Sequence, residues 1–535
     1  MSSEKQNAKR SATRRAALLG AGAAAFSTAA HAQLPFRIPD NLQDALNGNN
    51  NNNSNQQQQP QQPQSPILSQ TGANGLQIVG YALAFTPVRD LIAAGSYPQA
   101  LSTFTSGGSQ GTTLNSMLSR NDEFLSNVET GVMNFDATQW PPAKNNFLEA
   151  HNFAERQRNR RGGLLGSIGG AFGAGLAPYR QRDYERVLQL NYLSMSFLVD
   201  GERRSYNAAR QAVAEQANMQ RQFAEEIAQA EQNIRQQNAS PQASQGGTVQ
   251  MFQILEDLQA FFAQFSGASD RVPSAYVNPI GHYVNAAIYE ITSSDRPTLR
   301  DNARLAYQAA LQLVGSSPQL SSAVSAMEQP ATGNDRVLHV VVGEGFAPSR
   351  QALTFGVSLN NQIVPVKLPI FKPNDSEVTH VDVADSRGRP IARLDAMGDI
   401  EAMVMRDQAD RVWQYIAGVA VTTLRASGVQ DVRGSLPQQL GDLGGSFAEF
   451  TSGLEDPDMR SWSSLPRRFH IGRIPLSAGT QELRIRSFAG RRMLSQQTIR
   501  VTPDLTHAVA YGRAVDRRLG VEQPRRLWID DVNGV

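Results

Sequence analysis

Seven histidines, at positions 31, 151, 282, 339, 380, 470 and 507, are the natural metal ligands and general bases of this chain. Their spacing forms neither a His-x3-His pair nor an HExxH motif, the patterns that set two ligands on one helix face. Cysteine is absent, which removes disulfides, thiol nucleophiles, thiolate metal sites and a lipidated N-terminal cysteine. No Walker loop occurs. Gly343-x-Gly345 follows a strand pattern but leads into Pro348 and another strand, so it reads as a turn, not a phosphate cradle. Acid–base chemistry is left to scattered carboxylates such as Asp183, Glu185 or Glu290, which sequence alone does not pair. No cofactor and no metal is expected.

Polar aromatics are the remaining candidates. Tyr184, Asn191, Tyr192, Arg203 and Tyr206 lie in one helical stretch, and His282, Tyr283, Asn285 and Tyr289 in another. On helices such residues line a concave groove that binds an extended peptide, as in helical-repeat proteins. The competing reading makes the tyrosines core, with hydroxyls at the rim. Arg460-Ser461-Trp462 reads either as a surface recognition loop or as a tryptophan plugging a domain junction.

The elements that position these residues follow from periodicity. From residue 76 to about 327 the apolar period is helical. "FTPVRDLIAAGSYPQALSTF" places Val88, Leu91 and Ile92 before Gly95 as a turn, then Leu101 and Phe104. "YERVLQLNYLSMSFLVDGERRSYNAAR" repeats the plan, with Gly201 as the break. In "IGHYVNAAIYEITSSDRPTLRDNARLAYQAALQL" residues 293–297 form the break. Small residues let two helices approach, and an aromatic one turn later fills the space beside them. The pattern Ala-x3-aromatic-x2-small, at Ala100/Phe104/Gly107 and Ala303/Tyr307/Ala310, resembles the second helix of a tetratricopeptide repeat. The middle copy, Ala209/Val213/Gln216, fits poorly, and the copies stand roughly a hundred residues apart, so no regular array is expected.

After "QPATGND", residues 329–335, the period switches to strand. "RVLHVVVGEG", "ALTFGVSLNN", "IVPVKLPIFK" and "THVDVADSRGRPIARLDA" are β-branched runs, and "RFHIGRIPLSAGTQELRIRSF" and "RRMLSQQTIRVT" close the set, with "SAGT" as a turn. Between them stand a helix near 398–426 and a Gly/Ser-rich loop over 427–453. The expected fold class is therefore α then β. A tetratricopeptide-like domain of helical hairpins, residues 76–330, precedes a β-sandwich-like domain, residues 331–505, with one packed helix. Residues 506–535 read as a tail.

The first 75 residues carry no core. "KRSATRRAALLGAGAAAFSTAAHAQ" has the basic, apolar and small-x-small parts of a secretory signal, so residues 1–32 read as a signal peptide cleaved before Gln33. Thr13-Arg14-Arg15 with Leu18-Leu19 resembles a twin-arginine signal, although Ala17 replaces the usual large apolar residue. Residues 33–75 include "NGNNNNNSNQQQQPQQPQ", an Asn/Gln/Pro tract that cannot bury enough apolar surface to order itself and reads as a tether. The implied location is periplasmic, with a secreted form as the variant. A net charge of +2 on 535 residues gives no general reason to bind nucleic acid. "RNRRGGLLGSIGGAFGAGLAPY", with its glycine-rich insertion at 162–178, has two readings: a loop over the helical domain, or a smooth face for peripheral membrane contact or self-association.

"YERVLQLNYLSMSFLVDGERRSYNAAR", "NPIGHYVNAAIYE", "GEGFAPSR", "LPIF", "DIEAMVMRD", "RSWSSLP" and "RIPLSAGTQELRI" follow in order over roughly residues 175–500. Together they resemble an uncharacterised family of bacterial envelope proteins, many of them lipoproteins, with a tetratricopeptide-like front half. The resemblance implies an envelope role and no particular catalytic residues. Without a cysteine to acylate, this chain departs from the lipoprotein members, and no lipid anchor is expected. Two functions follow: a non-enzymatic periplasmic scaffold holding an envelope protein or extended peptide, or a cell-wall enzyme or activator of a cell-wall synthesis enzyme.

Overall fold

Small residues facing aromatics one turn apart make neighbouring helices pack closely, and the helices of the first half do so mostly with their chain neighbours. The computed structural model describes residues 76–106, 114, 118, 122–160, 179, 181–237, 263, 266–330, 335–359, 362–410 and 457–528. The expected signal peptide, tether, glycine-rich insertion, Gly/Ser-rich loop and the part of the 398–426 helix beyond Asp410 lie outside the described residues. Helices α1 (Gly80–Ala84), α2 (Thr86–Ala93) and α3 (Tyr97–Ser106) are followed by α4 (Glu123–Asp136) packed on α5 (Trp140–Arg160). Next, α6 (Asp183–Val199) packs on α7 (Arg204–Gln237). The short α8 (Ser266–Ser269) precedes α9 (Ile280–Ser293), which packs on α10 (Arg300–Val314), and α10 on α11 (Pro318–Glu328).

Two of these helices are interior. Every residue of α6 from Tyr184 to Val199 is buried, and in α9 Tyr289 alone is not. The N-terminus of α6 is closed by Glu185, whose Oε2 accepts the Arg182 backbone N–H at 2.8 Å and satisfies one otherwise orphaned donor. Its end falls at Gly201, whose φ of +76° a side chain rarely adopts.

The second half contains three sheets. β1 (Leu76–Gln77) pairs with β3 (Ser349–Leu359), which forms a hairpin with β4 (Gln362–Lys372). A four-stranded antiparallel sheet has the order β10 (Arg492–Val501), β9 (Gln481–Ala489), β5 (His380–Asp385), β6 (Pro390–Arg393). The largest sheet runs β12 (Arg518–Val521), β11 (His507–Val515), β2 (Val337–Glu344), β8 (Arg468–Pro475), β7 (Asp395–Asp399), and β13 (Arg525–Arg526) also pairs with β11. β7 leads directly into α12 (Ile400–Asp410).

β2 explains how the halves join. Its Leu338, Val340 and Val342 meet Val381, Val383, Ile485 and Ile499 of the four-stranded sheet in one apolar cluster. Val341, on the opposite face, belongs to a second cluster with Tyr192, Tyr283 and Ile288 of the helices. A strand covered on both faces reads as a continuous apolar run, as "VLHVVV" does. The period does switch near residue 330, but the larger core does not divide there: it takes side chains from both halves. The stretch after 505, expected as a tail, instead holds β11, which pairs in parallel with β2 from His507↔Val337 to Ala514↔Glu344. Its alternate positions are Ala508, Ala510, Gly512 and Ala514, which give a weak strand signal. Among the described residues no helix is long and apolar enough to cross a membrane.

Candidate functional site

Residues 458–464, "DMRSWSS", have no helix or strand of their own, yet all but Asp458 are buried between the helices and the sheets. A chain without a ladder must place its polar groups elsewhere, and here helical carboxylates take them. Arg460 donates from Nη1 to Asp122 at 2.6 Å and from Nη2 to Asp458 at 2.8 Å. Glu129 on α4 accepts the backbone N–H groups of Ser463 and Ser464 at 2.6 and 2.9 Å, and the Tyr81 hydroxyl at 3.2 Å. Glu185 accepts the Tyr179 hydroxyl at 2.6 Å. Burial pushes Glu129 up to about 7, against the opposing pull of the hydrogen bonds from Ser464, Ser463 and Tyr81. Trp462 lies at the junction, its ring 5.8 Å from that of Tyr192.

A second buried group joins α9 to β8. The Arg473 guanidinium donates to both oxygens of Glu290, at 2.5 to 3.1 Å, and the Tyr307 hydroxyl donates to Oε2 at 2.7 Å. Burial pushes the Glu290 carboxyl up, but the charge and hydrogen bonds of Arg473 overcome it and hold it at about 2. His339 shares a 2.8 Å hydrogen bond with the Tyr283 hydroxyl, and burial lowers this imidazole to about 3. A third pair is Asp136, which accepts from Tyr511 at 2.5 Å and Arg513 at 3.2 Å. Arg513 also donates to the carbonyl of Gly345, so the Gly343-x-Gly345 turn is tied to β11.

The groove expected from sequence is not open. Tyr184, Asn191, Tyr192, His282, Tyr283 and Asn285 are all buried, because α6 is enclosed on every side and α9 everywhere but at Tyr289. Asn191 spends its amide on Asn278 at 3.1 Å, and the Tyr192 hydroxyl has no hydrogen-bond partner among the described residues. His282 is lowered to about 4 by burial. Glu185 and Glu290 are committed to the contacts described above, and Asp183 is half-buried at the start of α6. Among the described residues no group of three or more His, Asp or Glu side chains is arranged to hold a metal.

Three of the expected residues do reach the surface, and two of them meet. Arg203 is exposed, and Tyr206 and Tyr289 are half-buried with hydroxyls 2.8 Å apart and rings edge-to-face at 5.4 Å. Arg210, one turn beyond Tyr206, lies 5.4 Å over its ring. Trp528, 41 % exposed, packs against the Gly201 turn beside Arg203: a Cβ there would stand 2.6 Å from the indole. Sequence reasoning missed Arg210 and Trp528. Arg210 was findable at the i+4 position from Tyr206. Trp528 was not, because its seat is a turn more than 300 residues earlier.

Comparison with protein-family models, with curated proteins and with solved structures finds no match for this chain.

Proposed function

We propose that this chain is an exported, non-enzymatic scaffold of the bacterial cell envelope that holds an extended segment of a protein partner on the arginine–aromatic face of α7 and α9. The observation that carries the reading is the Tyr206–Tyr289 pair. Two tyrosines with joined hydroxyls stay half-exposed with Arg210 over the Tyr206 ring, while Arg203 is exposed three positions before Tyr206 and Trp528 sits on the Gly201 turn ahead of α7. Tyrosine, tryptophan and arginine are the residues that anchor protein interfaces, since they offer area and polar contact together. In the same reading residues 1–32 are a twin-arginine-like signal, the working place is the periplasm, and the chain belongs with the envelope proteins it resembles. The helical half is taken as tetratricopeptide-like, supported by fully buried Ala100, Ala303 and Ala310 beside buried Phe104 and Tyr307. The two facing sheets are taken as sandwich-like, supported by their shared apolar cluster. The burial of Glu185 and Glu290 in structural contacts supports a scaffold over a cell-wall enzyme.

The test is capture by the mature chain from envelope extract, with Tyr206→Ala/Tyr289→Ala beside the parent. The double variant should melt close to the parent and lose about tenfold in recovery of the partner. Equal recovery by a folded variant overturns the reading.

A further inference from the structure

Between the helices and the six-stranded sheet lies a cavity of about 40 Å³ with apolar walls, lined among others by Phe135, Met195, Ala287, Val341, Ile471 and Leu527. Leu527 is 3 % exposed. It arrives there on a short run of chain. Beyond β12 the ladder on β11 continues through Glu522, whose N–H donates to Tyr511, and then breaks at Gln523-Pro524. Gln523 turns its amide oxygen to the Arg500 N–H of β10 instead, and Pro524 has no N–H to give. Pairing resumes for two residues only, Arg525↔Val509 and Arg526↔Ala508, followed by the Leu527 N–H to the His507 carbonyl at 2.8 Å. Both arginine side chains are exposed.

Residues 525–528 thus contact the rest of the chain as a bound peptide would. They add a strand to a sheet edge, send one apolar side chain to an under-filled cavity, and lay an aromatic ring on Gly201. Backbone pairing supplies affinity and a side-chain pocket supplies selectivity in recognition by strand addition. We propose that the β11 edge around His507–Val509, with the cavity beside it, is a groove for an extended partner segment carrying an apolar residue followed by an aromatic one, and that residues 525–528 occupy it as a displaceable strap. Trp528 seats the strap on the Gly201 turn that leads into α7, the helix of Tyr206 and Arg210, so the inference deepens the partner-binding reading and rests on it for its biological meaning. With the strap gone, β11 offers unpaired backbone groups, the template that an incoming strand needs.

The experiment uses purified protein and a fluorescein-labelled synthetic peptide with the sequence of residues 522–528, so its failure is separable from failure to capture an envelope partner. A chain ending at residue 521 should bind this peptide. A peptide with Leu527→Ala should bind about tenfold more weakly or worse, and the full chain about tenfold more weakly than the shortened one. Absence of binding by a folded shortened chain, or equal binding of both peptides, overturns the proposal. A lock covers the case in which the shortened chain does not fold. The Leu527–His507 bond makes 508↔526 a non-hydrogen-bonded pair, with Cα atoms roughly 4.5 Å apart, within disulfide range. In a chain free of cysteine, Ala508→Cys/Arg526→Cys should bind the peptide when reduced and release it when oxidised. Equal binding in both states overturns the proposal. So does a dimer of the full chain that oxidation abolishes, since the groove would then belong to a second copy.

Discussion

Around residues 458–464 the helices and sheets are joined through buried carboxylates, whereas around Leu527 they meet through hydrocarbon that leaves space unfilled. The two regions belong to one core and place opposite demands on the sequence. Asp122 and Glu129 sit at 0 % exposure with particular donors at hydrogen-bond distance. A buried charge is costly unless its partner stays in place. The cavity presents apolar surface, the Tyr283 and Tyr511 hydroxyls in its lining being turned to His339 and to Asp136, and a strap of two paired residues closes it. One end of the seam is specified by charged pairs in fixed geometry, and the other presents apolar surface to a space left partly unfilled.

The sharpest way to break the polar end is Arg460→Met, which leaves Asp122 buried without its guanidinium. Loss of about 3–5 kcal/mol is expected, read as a lower midpoint in urea unfolding. Arg389→Ala, whose partner Asp385 lies on a surface hairpin, should leave the midpoint unchanged. Equal effects of the two would remove the distinction drawn here.

Proton uptake sharpens the same contrast. Glu129 is raised to about 7 from 4.5. Between these values the folded chain holds a proton that the unfolded chain has lost, so this group's contribution falls as pH rises from 4.5 to 7 and stays level above. Glu129→Gln should therefore gain on the parent across that window, by on the order of 3 kcal/mol. His282 and His339, lowered to about 4 and 3, act the other way: their stability is present above about 6.5 and lost as pH falls. They are common to both proteins and cancel in the difference, so a pH-independent difference between parent and variant would show that Glu129 does not titrate in this window.

At the apolar end the expected effect is smallest and of opposite sign. Val284→Ile adds one methyl group into the cavity without changing β-branching. It should stabilise by about 0.5–1 kcal/mol, seen as a higher melting temperature. A clear drop would mean that the space is already filled.

Much of the organisation was legible before the structure. The switch of period near residue 330 marks the change from helices to sheets, Gly95 and Gly201 both end helices with positive φ, and "SAGT" turns β8 into β9. The candidate site was legible only in part. Of the residues expected to line a groove, Arg203, Tyr206 and Tyr289 reach the surface whereas Tyr192 and Asn285 are buried, and β11 was read as tail. The alanines at 508, 510 and 514 give a strand its small face without the β-branched signal that marks one.

Local chemistry along the chain determined which stretches become helix, strand or turn, because propensity, periodicity and glycine conformation act over a few residues. Only the tertiary structure decided which polar residues are interior and which are available. Tyr192 and Tyr206 stand fourteen positions apart on successive helices. Tyr192 is enclosed by Phe147, Trp462 and Phe469, and Tyr206 is left half-open beside Tyr289. Burial on a helix depends on what covers its far side, and here part of the cover, Trp462 and Phe469, comes from more than 250 positions away, which no local pattern encodes.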